Sequence, residues 1–162
     1  MKKSAGILAY RINTGLEIFL VHPGGPYFRN KDAGAWTIPK GEYDDTEEPL
    51  IAAQREFLEE TGVQLKGNFL ELEPVVQKGG KTVYAWAIEY NIDEAKVVSN
   101  TFKLEWPPRS GVKKEFPEID KAGWFTPPEA KEKINPAQIR LIDELISLLD
   151  ERSSNTSDGK LV

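Results

Sequence analysis

Three glutamates have the type and spacing of ligands for a divalent metal ion. Glu56, Glu59 and Glu60 are three and four residues apart, so on a helix that turns ~100° per residue they share one face. Like charges at this spacing cost an isolated helix ~0.2–0.5 kcal/mol per pair, and a bound cation would reverse that effect. Carboxylate oxygens favour Mg²⁺ or Mn²⁺ over zinc, and such ions commonly bridge to phosphates. The pattern indicates phosphate chemistry, and its alternative is a solvated acidic helix face.

The composition excludes several other kinds of site. The chain has 162 residues, no cysteine and one histidine, His22, which excludes disulfides, thiolate metal sites, thiol nucleophiles and multi-histidine centres. A net charge of -5 argues against a nucleic-acid surface, because such surfaces need clustered Lys and Arg. We expect His22 to be structural, since the sequence places no Ser or Asp partner beside it.

The length and the hydrophobic pattern predict one domain over residues 1–150 and a flexible polar tail over residues 151–162. No apolar stretch is long enough to span a bilayer, and the first residues lack the apolar region of a signal peptide. We therefore expect a cytoplasmic protein without a membrane partner. The pattern leaves the oligomeric state open.

The glutamates require a helix, and hydrophobic periodicity predicts one over about residues 47–61. Pro49 fits its first turn, and Gly62 is placed to end it. Its expected core-facing residues are Leu50, Ile51, Ala53, Phe57 and Leu58.

The remaining pattern predicts strands on either side of this helix, with two further helices after them. We expect one hairpin over 3–11 and 17–22, a second over 68–77 and 82–90, and short strands at 36–38 and 124–125. A capping box at Thr126 and Glu129 predicts one helix, and a last helix is expected to begin near Asn135 and end at Leu149. The loops 24–35 and 97–114 are the expected places for substrate choice.

The three glutamates belong to a longer pattern, G-x5-E-x7-R-E-U-x-E-E-x-G-U, in which U is an apolar residue. The positions are filled by Gly41, Glu47, Arg55, Glu56, Phe57, Glu59, Glu60, Gly62 and Val63. This pattern resembles the box of the Nudix hydrolases. The chain looks most similar to bacterial predicted nucleoside-triphosphate pyrophosphohydrolases, and Trp36-Thr37-Ile38-Pro39-Lys40-Gly41 also resembles the diadenosine polyphosphate hydrolases.

The resemblance implies an α/β fold, specifically an α/β/α sandwich with a mixed β-sheet, in which the box forms a loop, a helix and a loop. It also implies the reaction of the family, in which water attacks phosphorus in a nucleoside diphosphate linked to another group, with a divalent metal present. The expected partners are thus a small nucleotide and water.

The resemblance also implies roles for individual residues. The implied metal ligands are Glu56, Glu59, Glu60, the Gly41 carbonyl and Glu118. The implied catalytic set comprises Glu59, Glu56 and Glu118, with Arg55 and Glu47 as a pair that holds the box in place. The guanidinium fork of Arg55 is suited to pairing with Glu47 and one helix carboxylate. Glu115 is the alternative to Glu118 as a carboxylate from outside the box, and the choice of general base stays open. Lys40 is a candidate phosphate contact. Tyr84 and Trp86 are candidates for stacking on a base, with burial in the core as the alternative.

These implications converge on a Mg²⁺-dependent pyrophosphohydrolase, with Mn²⁺ as a possible substitute ion. A dinucleoside polyphosphate such as diadenosine tetraphosphate is the favoured substrate, ahead of a nucleoside triphosphate. The alternative is a Nudix-fold sensor that binds a nucleotide without cleaving it. Isomerisation of an isoprenoid diphosphate ranks last, because relatives with that chemistry use a cysteine and this chain has none.

Overall fold

The computed structural model describes residues 2–161 of the chain, with side chains described for residues 2–154. The strands are β1 (Lys3–Ile12), β2 (Leu16–Pro23), β3 (Lys40–Glu42), β4 (Leu70–Val76), β5 (Thr82–Glu89), β6 (Thr101–Glu105), β7 (Lys113–Pro117) and β8 (Ile119–Phe125). The helices are α1 (Pro49–Thr61), α2 (Pro127–Lys133) and α3 (Ile139–Leu161), with 3₁₀ turns at Glu94–Lys96 and Pro136–Gln138.

Strand β1 organises the main sheet. The strand order is β4-β5-β1-β2-β8, and β3 pairs with β1 outside this path. β1 runs parallel to β5 and antiparallel to β2 and β3, so the sheet is mixed. Both predicted hairpins form, one between β1 and β2 and the other between β4 and β5.

The two faces of the sheet are covered by different helices, which confirms the predicted sandwich. α1 covers one face, where Phe57 packs with apolar residues such as Ile7 and Phe19. α2 and α3 cover the other face, where Leu141 and Leu145 lie in a second hydrophobic cluster. Successive side chains of β5 point to opposite faces of the sheet, and Val83, Ala85 and Ala87 all belong to the cluster beneath α3.

The orientation of α1 differs from the one expected from its apolar residues. Leu58 and Ile51 are 43% and 53% exposed, whereas Glu56 and Glu60 are only 8% exposed. The prediction that Leu58 and Ile51 face the core is therefore wrong. The helix is turned so that two of its carboxylates lie beneath β3 rather than in solvent. Its end is as predicted, because Gly62 has a φ of 78° and its N–H donates to the Leu58 carbonyl over 2.8 Å.

The strand expected at residues 36–38 lies four residues later, as β3. Trp36 and Thr37 make only isolated bridges, to Ile134 and Val21. The close approach of β3 depends on Gly6 in β1, because a Cβ at that position would lie 2.7 Å from the Lys40 Cβ. The pattern did not predict the two-stranded sheet of β6 and β7, and β8 begins earlier than the expected Trp124-Phe125 strand.

The capping box is confirmed, since the Thr126 side chain accepts from the Glu129 N–H and the Glu129 carboxylate accepts from the Thr126 N–H. Helix α3 continues beyond Leu149, where the apolar pattern ended it, to Leu161. The flexibility expected of residues 151–162 stays a prediction, and the side chains of residues 155–162 lie outside the described part. Among the described residues, none of the helices combines the length and apolar character needed to cross a membrane.

Candidate active site

The centre of the candidate site is the contact between β3 and α1. Gly41 faces Glu56 so closely that a Cβ built on Gly41 would lie 2.0 Å from the Glu56 Cδ and Oε2. The backbone N–H of Lys40 donates to Glu60 Oε1 over 3.3 Å. Any residue larger than glycine at position 41 would therefore displace the carboxylate that the box places there.

Arg55 links the loop before the helix to the helix carboxylates. Its Nε and Nη2 donate to the two carboxylate oxygens of Glu47 over 2.8 and 2.9 Å, which is a bidentate pair. Its Nη1 donates to Glu56 Oε1 over 2.8 Å and to Glu59 Oε1 over 3.2 Å. The sequence predicted a pairing with Glu47 and one helix carboxylate, and the structure brings a second helix carboxylate to the same guanidinium.

The carboxylates beneath β3 resist ionisation. Burial raises the pKa of Glu60 to about 8, with a further contribution from the neighbouring Glu56, while Lys40 opposes the shift. Burial also raises the pKa of Glu56, and the Arg55 hydrogen bond works in the opposite direction. A nearby cation would favour the charged form of both side chains.

Glu118 reaches this group from the segment between β7 and β8. It is half-buried, and its pKa is raised by burial and then by the charge of Glu59. Its backbone N–H donates to the Asn100 carbonyl over 2.8 Å, and the Asn100 N–H donates to the Glu59 carbonyl over 2.9 Å. Glu115, the alternative, is exposed on β7 and accepts a hydrogen bond from the Thr101 hydroxyl. The structure thus brings Glu118 rather than Glu115 toward the carboxylates of α1.

The donor set fits a hard divalent cation, although the side chains are not arranged around one. Within the described part of the chain, no three His, Asp or Glu side chains are gathered closely enough to hold a metal ion. Arg55 Nη1 is hydrogen-bonded to oxygens of both Glu56 and Glu59. Carboxylate oxygens are nevertheless the ligands that Mg²⁺ or Mn²⁺ prefers, and Glu56, packed on Gly41, and Glu60, beside the Lys40 N–H, provide them.

The candidate substrate-binding residues lie on the neighbouring strands. Lys40 is half-buried, and burial lowers its pKa, with a second contribution from the charge of Lys81. Tyr84 is half-buried and meets the Tyr43 ring edge to face, with 6.4 Å between the centroids. Trp86 is also half-buried and packs against the hydrophobic cluster beneath α1. Of the two candidate aromatic residues, Trp86 therefore contributes to the core.

Sequence reasoning missed the partner of His22. The ring is 1% exposed, and its Nδ1 lies 2.7 Å from Asp120 Oδ1. Asp120 is 98 residues away in the sequence, so no local pattern could have revealed the contact. The pairing of β2 with β8 creates it.

Fold and site together define a Nudix protein, and comparison with known families agrees. The model of the NUDIX domain family matches residues 2–145, so the chain belongs to this family. A curated relative, the bis(5'-nucleosyl)-tetraphosphatase (asymmetrical) of Rattus norvegicus, is 43% identical over 60 residues, which cover 33% of this chain and 41% of that protein. The match thus spans less than half of the relative's length.

Solved structures show the same fold at low sequence identity. The binary complex of a C. elegans Ap4A hydrolase has a TM-score of 0.68 and 22% identity, covering 93% of this chain and 99% of that one. The NUDIX domain of Shewanella oneidensis NrtR complexed with ADP ribose has a TM-score of 0.61 and 14% identity, covering 91% and 87%. The predicted family, fold and enzyme class, a Nudix hydrolase, are confirmed. Such hydrolases generally use a divalent metal and act on small nucleotide substrates.

Proposed function

We propose that this chain is a Mg²⁺-dependent pyrophosphohydrolase that cleaves a phosphoanhydride bond of a nucleoside polyphosphate. The favoured substrate is a dinucleoside polyphosphate such as diadenosine tetraphosphate, ahead of a nucleoside triphosphate. The observation that carries this proposal is the packing of Glu56 and Glu60 beneath β3 together with the approach of Glu118. The similarity of a 60-residue segment to the rat tetraphosphatase supports the choice of substrate. A cytoplasmic location stays a prediction.

In this proposal the residues of the site have two roles, binding the metal ion and positioning its ligands. Glu56, Glu59, Glu60 and Glu118, with the Gly41 carbonyl, would hold Mg²⁺ or Mn²⁺. When bound, the ion supplies charge neutralisation at the phosphate and activates water. Arg55 and Glu47 keep the helix carboxylates in place through the bidentate pair.

The substrate would enter beside Lys40 and Tyr84. Lys40 offers a partly buried ammonium to the phosphates, and burial strengthens such an interaction because water screens it less. Tyr84 is half-buried beside Tyr43, and its ring is the candidate for stacking on a base. Glu118 and the helix carboxylates are candidates for accepting the proton of the attacking water.

The direct test is to incubate diadenosine tetraphosphate and a panel of nucleoside triphosphates with the protein and Mg²⁺, and to separate the products by chromatography. We expect cleavage that requires the metal and stops on chelation. Carrying out the reaction in ¹⁸O-water identifies the attacked phosphorus from the labelled product. Intact nucleotides throughout the panel would contradict the proposal, and measurable binding without cleavage would favour the sensor instead.

A further inference from the structure

His22 is a buried polar side chain to which the proposed reaction assigns no role. It lies at the end of β2 and is 1% exposed, yet both ring nitrogens have an oxygen partner. Nε2 lies 2.7 Å from the Lys31 carbonyl, and Nδ1 lies 2.7 Å from Asp120 Oδ1. Both partner oxygens accept, so Nε2 donates to the Lys31 carbonyl and Nδ1 donates to the Asp120 carboxylate, which requires a hydrogen on each ring nitrogen. His22 thus joins the 24–35 loop to β8.

Asp120 reaches the ring because β8 contains a bulge. In the β2–β8 pairing Pro23 is opposite Ile119 and His22 is opposite Lys121, which leaves Asp120 as the extra residue of β8. A bulge of this kind bends the strand and redirects a side chain. The extra residue of the bulge therefore lies two positions after Glu118.

The backbone around Glu118 is tied to the same region. The Gly24 N–H donates to the Glu118 carbonyl over 2.8 Å, and a Cβ on Gly24 would lie 2.0 Å from the Pro117 carbonyl oxygen. On its other side, the Glu118 N–H is bound by the Asn100 carbonyl. The end of β2 and the segment that carries Glu118 are thus in direct contact. The hydrogen bond from His22 to Asp120 joins the same two segments at a second point, two residues after Glu118.

We propose that His22 and Asp120 are positioning residues for Glu118. Their hydrogen bond fixes the bulge of β8 and so holds Glu118 where it faces the carboxylates of α1. This inference rests on the proposed function, because it gives Glu118 a part in the reaction. It goes beyond that function by assigning a pair of residues that lies outside the Nudix box.

Asp120 is the better residue to change, because its side chain is 30% exposed whereas the His22 ring is buried. Asp120→Ala removes the hydrogen bond, and Asp120→Asn keeps an oxygen that can accept it. Glu17→Ala is a matched control, since the Glu17 side chain is 27% exposed, accepts from Arg11 Nε over 2.8 Å and lies at the opposite end of β2. Asp120→Ser, too short to reach the ring, is the second variant if Asp120→Ala does not fold.

The expected result is a loss in kcat rather than a rise in KM. Loss of a hydrogen bond that supports a metal ligand typically reduces activity or metal affinity by about 10- to 100-fold, and we expect the lower end for Asp120→Ala. Asp120→Asn should recover most of the activity, and Glu17→Ala should behave as the parent protein. In a Glu118→Gln background, Asp120→Ala should cause no further loss, because the side chain it positions is already altered. Thermal unfolding of each variant separates this effect from a loss of folded protein.

Several outcomes would overturn the inference. These are a kcat for Asp120→Ala equal to that of the parent, an equal loss in Glu17→Ala, or the same fold-loss with and without Glu118→Gln. Full activity of Glu118→Gln would also overturn it while leaving the hydrolase proposal intact.

Binding of Mn²⁺, followed by electron paramagnetic resonance, tests the inference without activity. If the parent protein cleaves no nucleotide, the proposed function fails. The positioning role then stands only if Asp120→Ala and Glu118→Gln weaken Mn²⁺ binding to the same extent and the double variant is no weaker. Unchanged Mn²⁺ affinity in Asp120→Ala overturns it in that case.

Discussion

The carboxylates of the candidate site are positioned in two different ways. Glu56, Glu59 and Glu60 come from one helix, and their mutual spacing follows from the helical repeat alone. Glu118 comes from a segment between two strands, and its position depends on contacts with Asn100 and Gly24, which are distant in the sequence. Residues grouped by a helix can therefore be recognised from spacing, whereas residues grouped by tertiary contacts cannot.

The difference between the two regions extends to their tolerance of change. The helix carboxylates are held by a glycine that allows contact and by the guanidinium of Arg55, all within the Nudix box. Glu118 is held through its backbone and through the bulge of β8. We expect substitutions in the box to affect activity most. Substitutions in the outer loops, which are the 24–35 loop and the hairpin of β6 and β7, should affect it least.

The largest effect is expected from Glu60→Gln. It keeps the size of the side chain but removes a buried carboxylate from the donor set. Turnover should fall by at least about 100-fold, because a metal contributes several kcal/mol of charge stabilisation in the transition state. Glu48→Gln is the control, since Glu48 is exposed and its side chain makes no capping hydrogen bond to α1. Steady-state kinetics check this, and equal rates in both variants would remove Glu60 from the metal site.

A second large effect is expected from Gly41→Ala. The added methyl group would lie 2.0 Å from the Glu56 carboxylate, so Glu56 must move. Activity should fall by about 10- to 100-fold, in the range found when the support of a metal ligand is removed. Gly15→Ala is the matched control, because a Cβ at Gly15 would meet no atom within 4 Å. Metal-dependent hydrolysis by Gly41→Ala at the rate of the control would show that the contact has no part in catalysis.

Much of this site could be predicted from the sequence, because the box is contiguous. The helix and its glycine end follow from local spacing, and the pairing of Arg55 with Glu47 follows from the resemblance to the box. The burial of Glu56 and Glu60 did not follow, since the apolar Ile51 and Leu58 suggested a different buried face. These two carboxylates lie against β3, whose place beside β1 depends on the missing side chain of Gly6.

The contact of His22 with Asp120 was beyond prediction because it depends on which distant segments pack together. The hairpin of β6 and β7 is local, since residues 106–112 alone separate its strands, and the sequence reading recognised only the break at Trp106–Gly111 and not the strands on either side of it. The candidate carboxylate Glu118 was preferred over Glu115 by resemblance, and only the fold shows that they lie in different surroundings.

The third prediction concerns pH and the stability of the metal-free protein. The pKa of Glu60 is about 8 in the folded protein, and its ordinary value is 4.5. At a pH between these two values the Glu60 carboxyl group keeps its proton in the folded protein and has lost it in the unfolded chain. The free energy of unfolding should therefore decrease as the pH rises through this range. Mg²⁺ should oppose the decrease, because it favours the ionised carboxylate. Denaturant unfolding of the parent and of Glu60→Gln checks this, and an equal pH dependence in both would contradict it.

The smallest effect is expected at the outer loops, which meet through aromatic side chains. The Tyr27 ring meets Trp106 edge to face, with 5.4 Å between centroids, and Phe102 lies against Gly25, where an added Cβ would be 3.0 Å from its Cζ. The 24–35 loop and the hairpin of β6 and β7 thus form one surface, and Tyr27 is 59% exposed on it. If this surface contacts the nucleotide, Tyr27→Ala should raise KM by less than about tenfold, because aromatic pairs contribute ~0.5–1.5 kcal/mol.

The kinetic constants of Tyr27→Ala also test the comparison between the two regions. A change in KM alone would mean that this surface contacts substrate while Glu118 is held independently of it. Ile12→Ala is the control, since Ile12 is 58% exposed, about as much as Tyr27, and is the last residue of β1, outside the 24–35 loop. A fall in kcat with unchanged KM would mean that the 24–35 loop also positions Glu118, through Gly24 and its hydrogen bond to the Glu118 carbonyl. The 24–35 loop and Glu118 would then be positioned together rather than independently.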